Sequence, residues 1–291
     1  MRILITGKNG QVGSEFSRLY HSPGDVVVVG RAECDLSSER SIRDLVRRVE
    51  PAVIINAGAY TAVDQAEAER ELCFAVNAAA PRVLAEEAAR LDALLIHYST
   101  DYVFNGEKPE PYLESDPINP VSVYGASKAA GEAAIVETTS RYLVLRTSWV
   151  YGAQGKNFLR TMLRLGAERP ELRVVSDQVG APTSAVAIAT ATATLVGQYA
   201  APGTKLPAGI YHMTGAGSTS WYGFARAIFD AGVLSVPPRV QAIPSSAYPT
   251  PAKRPANSVL SNDKFAHAFG FRLPPWQQQL QDVLTGMQVA S

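Results

Sequence analysis

The chain has 291 residues, of which 46% are hydrophobic and 19% charged, enough for one large domain or a main domain with a smaller lobe. Its 27 Lys and Arg residues balance 27 Asp and Glu residues, which excludes a protein that binds nucleic acid or an anionic membrane by charge alone. No stretch approaches the roughly 20 apolar residues of a membrane span. Two cysteines, Cys34 and Cys73, cannot build a disulfide framework, so we expect a soluble cytoplasmic protein.

Strand-like and helix-like patterns alternate along the first half of the chain. Short β-branched and apolar runs predict strands at residues 2–6, 26–29, 52–55, 94–98 and 142–146. Apolar stripes at helical spacing predict helices over residues 11–20, 42–49, 62–91 and 124–138, the third interrupted near Pro81. Strands that alternate with helices pair in parallel through right-handed crossovers. The pattern predicts an α/β fold with a doubly wound, Rossmann-type parallel sheet, and residues 1–150 as a dinucleotide-binding domain.

The pattern loosens beyond Trp149. Helices are expected over residues 157–167, 185–198, 221–232 and 276–287. The proline-rich segments 237–238 and 244–255 lie between them, and long loops of this kind inside a compact protein are usually functional or poorly ordered. We interpret residues 151–291 as mainly a smaller C-terminal substrate-binding lobe, interleaved with the sheet domain.

A glycine-rich turn joins the first predicted strand to the first predicted helix. Gly7, Gly10 and Gly13 follow the spacing GxxGxxG, with Gln11 and Val12 between the last two. Such glycines allow a tight turn, a close approach of the backbone to a pyrophosphate, and packing of helix on strand. The free N–H groups of the helix N-terminus then face the phosphates. The position of the motif, followed by a βαβ unit, favours a dinucleotide site.

The end of the second predicted strand distinguishes between dinucleotides. An acidic residue there favours a free ribose 2′-hydroxyl, whereas an arginine accommodates a 2′-phosphate. Arg31 therefore favours NADPH, with NADH as the alternative and a solvated loop arginine as the other interpretation. Further residues are placed to line the same cofactor: Asp35 and Leu36 near the adenine, and Ala59, Tyr60 and Thr61 near the ribose and pyrophosphate.

Tyr124 and Lys128 form a YxxxK pair on the helix predicted over 124–138. Their i, i+4 spacing places the phenol and the ammonium on one helix face. A lysine cation stabilises a nearby phenolate, and we expect it to lower the pKa of Tyr124 so that the phenol can donate a proton to a forming alkoxide. Lys128 would also hold the nicotinamide ribose.

Ser99 and Thr100 follow the strand that ends near Tyr98. Catalytic groups in doubly wound sheets gather beyond the carboxyl ends of the strands. One of these hydroxyls is therefore a candidate to hydrogen-bond a substrate carbonyl. The alternative is that both satisfy backbone groups at a turn.

Six segments together resemble the dTDP-4-dehydrorhamnose reductase family of the extended short-chain dehydrogenase/reductase superfamily. The glycine-rich start and YxxxK specify only the superfamily. The stretches STDYVF (99–104), RTSWVYG (146–152), DQVGAPT (177–183) and PTPAKRP (249–255) are more specific to the family, and the resemblance runs over nearly the whole chain.

The resemblance implies an NAD(P)H-dependent oxidoreductase that reduces the 4-keto group of dTDP-4-dehydro-β-L-rhamnose to give dTDP-L-rhamnose for polysaccharide. It implies Tyr124 as the proton donor, Lys128 as its activator and Thr100 as the group that polarises the ketone. Asp101 and Trp149 would contact the sugar. Gly10, Gln11, Val12, Asp35, Leu36, Ala59, Tyr60, Thr61 and Tyr98 would line the cofactor.

Other features are interpreted beside this resemblance. Members often carry an acidic residue where this chain has Arg31, which puts a preference for NADH in doubt. Lys253 and Arg254, beside rigid prolines, suit a sugar-nucleotide diphosphate, although a solvated pair fits the spacing equally well. Magnesium is implied by resemblance only, with Glu15 as its one hint, and the four histidines (His21, His97, His212 and His267) share no metal-ligand spacing, so we expect no metal site. A homodimer is a further expectation.

Three alternatives remain at the level of sequence. A nucleotide-sugar 4,6-dehydratase needs a carboxylate pair, but Tyr102 and not Glu follows Asp101. An epimerase of the same superfamily lacks support from the late motifs. A non-catalytic NADP-binding regulatory subunit, resembling that of methionine adenosyltransferase, would bind a partner protein without turnover, and the intact Thr100, Tyr124 and Lys128 argue against it.

Overall fold

The computed structural model describes residues 1–20 and 25–289 and has a six-stranded parallel sheet at its centre. His21 lies outside the described residues. In spatial order the strands are β10 (Gly209–His212), β5 (Tyr142–Thr147), β4 (Leu94–Thr100), β3 (Val53–Asn56), β1 (Ile3–Thr6) and β2 (Val26–Val29), and all neighbours are parallel. The chain therefore moves from β1 to β2 on one side and crosses to β3 on the other. This switch opens a crevice beyond the carboxyl ends of β1 and β3.

Helices cover both faces of the sheet, which explains why its central strands are apolar at successive positions. Ile3, Ile5 and their counterparts on β3 and β4 pack towards one face, and Leu4 and its counterparts pack towards the other. The helices are α1 (Gln11–Leu19), α2 (Glu39–Val49), α3 (Val63–Ala66), α4 (Arg70–Phe74), α5 (Ala80–Leu91), α6 (Val123–Thr138), α7 (Phe158–Glu168), α8 (Ala185–Ala200), α9 (Trp221–Asp230), α10 (Asp263–Phe269) and α11 (Trp276–Val289). The predicted fold class is confirmed.

The helical stretch predicted over 62–91 is divided at a different place. A break separates α3 from α4, and a π-helical segment (Ala75–Ala79) joins α4 to α5. Pro81 lies in the first turn of α5 and does not interrupt the helix, so the predicted place of the break was wrong. The wider π-helical turn directly before the proline leaves room for its ring.

The second half of the chain contributes to both parts of the molecule. β10 extends the main sheet beside β5, and α8 packs against α1 on one face of it. A separate apolar core gathers α7, α9 and α11 with two parallel strands, β7 (Glu171–Val175) and β12 (Arg239–Ile243). β12 was not predicted, since it lies between the two proline-rich segments. The division into a dinucleotide domain at 1–150 and a substrate lobe at 151–291 stays a prediction.

Short strands complete the description. They are β6 (Val150–Tyr151), β8 (Val179–Gly180), β9 (Thr183–Ser184) and β11 (Thr219–Ser220). β6 pairs with β9, and β8 pairs with β11. Within the described ranges, no helix combines the length and the apolar character needed to cross a bilayer.

Candidate active site

A cavity of about 760 Å³ opens at the crevice beyond β1 and β3. It brings together residues that are distant in sequence, from the glycine-rich turn to α6. The predicted cofactor residues that line it are Gly7, Gly10, Gln11, Val12, Arg31, Asp35, Leu36, Ala59, Tyr60, Thr61, Tyr98, Tyr124 and Lys128. Gly13, Thr100, Asp101, Trp149, Lys253 and Arg254 are not among the residues lining it.

The glycine-rich turn packs so closely on its surroundings that side chains do not fit. Gly7 has a φ of +81°, and a Cβ there would lie 2.6 Å from the backbone carbon of Ala57. A Cβ on Gly13 would overlap the Gly7 carbonyl oxygen, which explains its place in the motif although it does not face the cavity. Gly10, the N-cap of α1, provides no side-chain cap to the first N–H groups. These N–H groups lack a side-chain partner and are suited to bind a phosphate.

The loop after β2 presents a cation to the cavity while its carboxylates bond within the loop. Glu33 Oε2 accepts a hydrogen bond from Gly30 N at 2.8 Å, and this bond lowers the pKa of the carboxyl. Asp35 Oδ1 accepts from Ser37 N at 2.9 Å. Arg31 is exposed and lines the cavity. Asp35 lines the cavity as well, but its Oδ1 is engaged by Ser37, so the Arg31 guanidinium is the cation that the loop offers to a ligand at this end.

Lys128 Nζ has two close polar contacts. Ser122 caps α6 by accepting from Gly125 N at 3.2 Å, which starts the helix just before Tyr124. Lys128 Nζ, one turn further on, donates to Tyr98 O at 2.6 Å and lies 3.0 Å from His97 Nε2. Burial lowers the pKa of Lys128 to about 8.

Tyr124 lines the cavity beside Thr100. Burial raises the pKa of the phenol, and the Thr100 hydroxyl acts in the opposite direction. The expected lowering by Lys128 was wrong for this arrangement, because burial outweighs it and the ammonium is directed at Tyr98 O and His97. The phenol is thus protonated at neutral pH.

Asp101 is buried directly after β4. Thr100 Oγ1 donates to Asp101 Oδ1 at 3.0 Å and accepts from Tyr102 N at 3.2 Å. Burial raises the pKa of Asp101 to about 7, although hydrogen bonds from the hydroxyls of Ser258 and Thr100 act to lower it. Thr100 therefore does cap a turn, as the alternative interpretation held, while its hydroxyl also faces Tyr124.

Trp149 is fixed by neighbours that the sequence did not single out. Its φ is +46°, an uncommon backbone conformation for a residue other than glycine. Its ring stacks on Trp221 with centroids 3.5 Å apart and planes 4° apart. A Cβ on Gly180 would lie 2.5 Å from the Trp149 ring, so the glycine of DQVGAPT makes room for it. The only sequence signal for Trp221 was an aromatic residue at the start of a predicted helix.

Arg254 forms an ion pair instead of a free cationic patch with Lys253. Its Nη2 donates to Asp64 Oδ2 at 2.8 Å, and Asp64 Oδ1 accepts from Ala252 N at 3.2 Å. Lys253 is exposed. Lys156, by contrast, lines the cavity and was missed, because nothing but the neighbouring Gly155 marks its loop in the sequence.

The model of the family described as "RmlD substrate binding domain" matches residues 1–289. The chain belongs to this family. A dTDP-4-dehydrorhamnose reductase of Burkholderia thailandensis is 50% identical over 288 residues, which cover 95% of this chain and 96% of that protein. The crystal structure of a dTDP-4-dehydrorhamnose reductase from Bacillus anthracis in complex with NADP has a TM-score of 0.90 at 34% identity, covering 98% of this chain and 99% of that chain. A Clostridium acetobutylicum counterpart has a TM-score of 0.92 at 36% identity, covering 99% and 100% of the two chains.

The magnesium that resemblance to this family implies finds no support in the part of the chain that the structure describes. No group of three or more His, Cys, Asp or Glu residues there is arranged to hold a metal ion. Glu15 is buried and its carboxylate pairs with Arg18 at 3.3 Å. His97 and His212 are buried in hydrogen-bonded positions, and His267 lies exposed on α10.

Proposed function

We propose that this protein reduces the 4-keto group of dTDP-4-dehydro-β-L-rhamnose with NADPH to give dTDP-L-rhamnose. One observation carries the proposal: a chain related over almost its full length to dTDP-4-dehydrorhamnose reductases places Tyr124 and Lys128 in the cavity beside Thr100. The same cavity begins at a turn and helix N-terminus suited to phosphates.

NADPH, when bound, supplies the hydride to the ketone carbon. Tyr124 donates its proton to the carbonyl oxygen, and the Thr100 hydroxyl polarises that oxygen by a hydrogen bond. Lys128 stabilises the phenolate that remains and holds the cofactor ribose with its free hydrogen. Asp101 and Trp149 contact the sugar.

Arg31 and the glycine-rich turn would hold the cofactor. Arg31 faces the cavity where an adenosine 2′-phosphate would lie, which supports NADPH over NADH. Lys253 is proposed to meet the substrate diphosphate from the late loop, which Arg254 anchors through Asp64. The site is proposed to work in the cytoplasm, and a homodimer stays a prediction.

Two alternatives find less support. The position after Asp101 holds Tyr102, whose ring meets Tyr124 edge-on at 5.9 Å, where a dehydratase needs a second carboxylate. A non-catalytic regulatory subunit has no use for a proton donor at the cavity.

Turnover of dTDP-4-dehydro-L-rhamnose, followed by the absorbance of the reduced nicotinamide, tests the proposal. Wild type is expected to oxidise NADPH, whereas Tyr124→Phe is expected to lose about a hundredfold or more in kcat, because the proton donor is gone while the ring remains. Both proteins are expected to bind NADPH alike. A folded wild type that binds NADPH and leaves it unoxidised would favour the regulatory subunit.

A further inference from the structure

A row of four buried polar side chains lies behind the cavity, and the proposed reaction uses only one of them. Thr6 Oγ1 lies 2.7 Å from Asn56 Oδ1, Asn56 Nδ2 lies 2.9 Å from His97 Nδ1, and His97 Nε2 lies 3.0 Å from Lys128 Nζ. All four side chains are only 1–2% exposed. Because buried polar groups are costly unless satisfied, such a row needs a structural or chemical reason.

The sheet itself builds this row. Thr6 on β1 is in register with Asn56 on β3, and Asn56 is in register with His97 on β4. Side chains in register on neighbouring parallel strands point to the same face, so the three groups line up across the sheet. α6 then adds Lys128 from above that face. The row therefore ends on the proposed activator of Tyr124.

Hydrogen positions decide what the row does to Lys128. A neutral imidazole donates from one nitrogen and accepts at the other. Burial and the Lys128 charge hold the pKa of His97 well below its ordinary value, so the ring is neutral. When the Asn56 amide donates to Nδ1, the hydrogen lies on Nε2 and faces Lys128. An ammonium nitrogen has no lone pair and cannot accept this hydrogen. This arrangement therefore requires Lys128 to be a neutral amine.

A half-turn of the Asn56 amide reverses every hydrogen bond in the row. Asn56 Oδ1 then accepts from His97 Nδ1–H, and Asn56 Nδ2 donates to Thr6 Oγ1. Thr6 Oγ1 has lone pairs for this bond and for the one from Gly58 N at 3.2 Å. His97 Nε2 is left as an acceptor for the Lys128 ammonium. The two orientations of one amide thus correspond to two charge states of the lysine.

We infer that His97 is a positioning residue: with Asn56 as its acceptor, it accepts a hydrogen bond from the Lys128 ammonium and fixes Nζ at the wall of the cavity that Tyr124 also lines. Two ammonium hydrogens are then held by rigid groups of β4, Tyr98 O and His97 Nε2. The remaining hydrogen is left for the cavity, which Lys128 lines. The inference rests on the proposed function, which assigns Lys128 its role.

The other titratable groups that face Lys128 act as a constant background. Glu132, one turn further along α6, raises the pKa of Lys128, and its carboxylate is held by Arg146 at 2.7 and 2.9 Å. Cys73 on α4 is buried, and burial raises the pKa of its thiol, so it stays neutral. Tyr124 is protonated for the same reason. Removal of the His97 acceptor therefore destabilises the ammonium itself.

A matched pair of substitutions tests the inference. The His97→Gln side chain reaches the position of Nε2, whereas the His97→Asn side chain ends near Nδ1 and leaves Lys128 without its acceptor. Proton donation needs the ammonium, so activity falls as pH rises through the Lys128 pKa, and a lower pKa moves that fall to lower pH. We expect His97→Asn to lower kcat about tenfold and to move the alkaline midpoint of kcat down by about one pH unit. His97→Gln should restore the wild-type midpoint.

Equal alkaline midpoints in His97→Asn, His97→Gln and wild type would overturn the inference, as would a loss of thermal stability alone. His212→Gln is the control, since His212 is a second buried histidine, bonded to Arg146 and not to Lys128. It should lower the melting temperature and leave the midpoint in place. Failure of wild type itself to reduce the sugar would count against the proposed function and not against this inference.

Nitrogen NMR of labelled histidines gives a readout without cofactor or substrate. At pH 7, below the Lys128 pKa of about 8, we expect His97 to be neutral with its hydrogen on Nδ1. Its signal is the one missing from His97→Gln. A hydrogen on Nε2 at this pH would overturn the inference, because the ring could not then accept from the ammonium.

Discussion

Substitution of Gly7 by alanine tests how the turn after β1 serves the cofactor. At a φ of +81°, a Cβ costs about 1–2 kcal/mol of folding free energy. The same Cβ would lie 2.6 Å from the backbone of both Ala57 and Gly58, closer than a Cβ can approach, and this overlap costs about 1–3 kcal/mol more. We expect Gly7→Ala to be about 2–5 kcal/mol less stable than wild type.

Relief of the overlap moves the turn away from β3, so the N–H groups that would meet the pyrophosphate are displaced. We expect the affinity for NADPH to fall about tenfold to a hundredfold, measured by titration calorimetry on folded protein. Gly203→Ala is the control, because Gly203 has a φ of +77° with nothing within 4 Å of a Cβ. It should lose about 1–2 kcal/mol of stability and no affinity. Unchanged affinity in folded Gly7→Ala would refute this account of the turn.

Two further predictions concern the ends of the site. Arg31→Ala should weaken NADPH binding about tenfold or more and NADH binding little, since only the 2′-phosphate would lose its charged partner. Equal losses of affinity for the two cofactors in a binding titration would show that Arg31 does not recognise the phosphate. Asp101 has a folded pKa of about 7 against an ordinary 3.8, so its contribution to stability is fully present below about pH 3.8 and is lost as pH rises to 7. Melting temperatures of Asp101→Asn and wild type should therefore diverge over this range in favour of Asn, whereas parallel curves would contradict the shift.

The central fold could be predicted because its strands and helices have local hydrophobic patterns in the sequence. Residues 53–55 of β3 are apolar at successive positions and buried on both faces, so they alone indicate a covered parallel sheet. β10 could not be predicted in the same way, because its four residues become a strand only by pairing with β5, far away in the sequence. Pro81 misled for a similar reason, since the π-helical turn that accommodates it has no clear sequence signal.

In the candidate site, too, local spacing could be predicted from the sequence, whereas contacts between distant residues could not. The spacing of Tyr124 and Lys128 placed both side chains in the cavity, but the pKa of Tyr124 depends on burial, which i, i+4 spacing does not report. Arg254 has its partner in Asp64, and no local pattern links the late loop to α3. In the sequence, His97 is only one of four histidines that share no metal-ligand spacing. Its contacts with Asn56 and Lys128 emerge only once the sheet register and α6 are known.

The location of the transferred hydrogen shows whether this protein reduces the 4-keto group of the sugar. The protein would be given dTDP-4-dehydro-L-rhamnose and NADPH that carries deuterium in its transferable position, and the sugar product would be analysed by NMR. We expect dTDP-L-rhamnose with deuterium on C4 of the sugar. Unchanged ketone, or a product with deuterium at another carbon or with none, would contradict it.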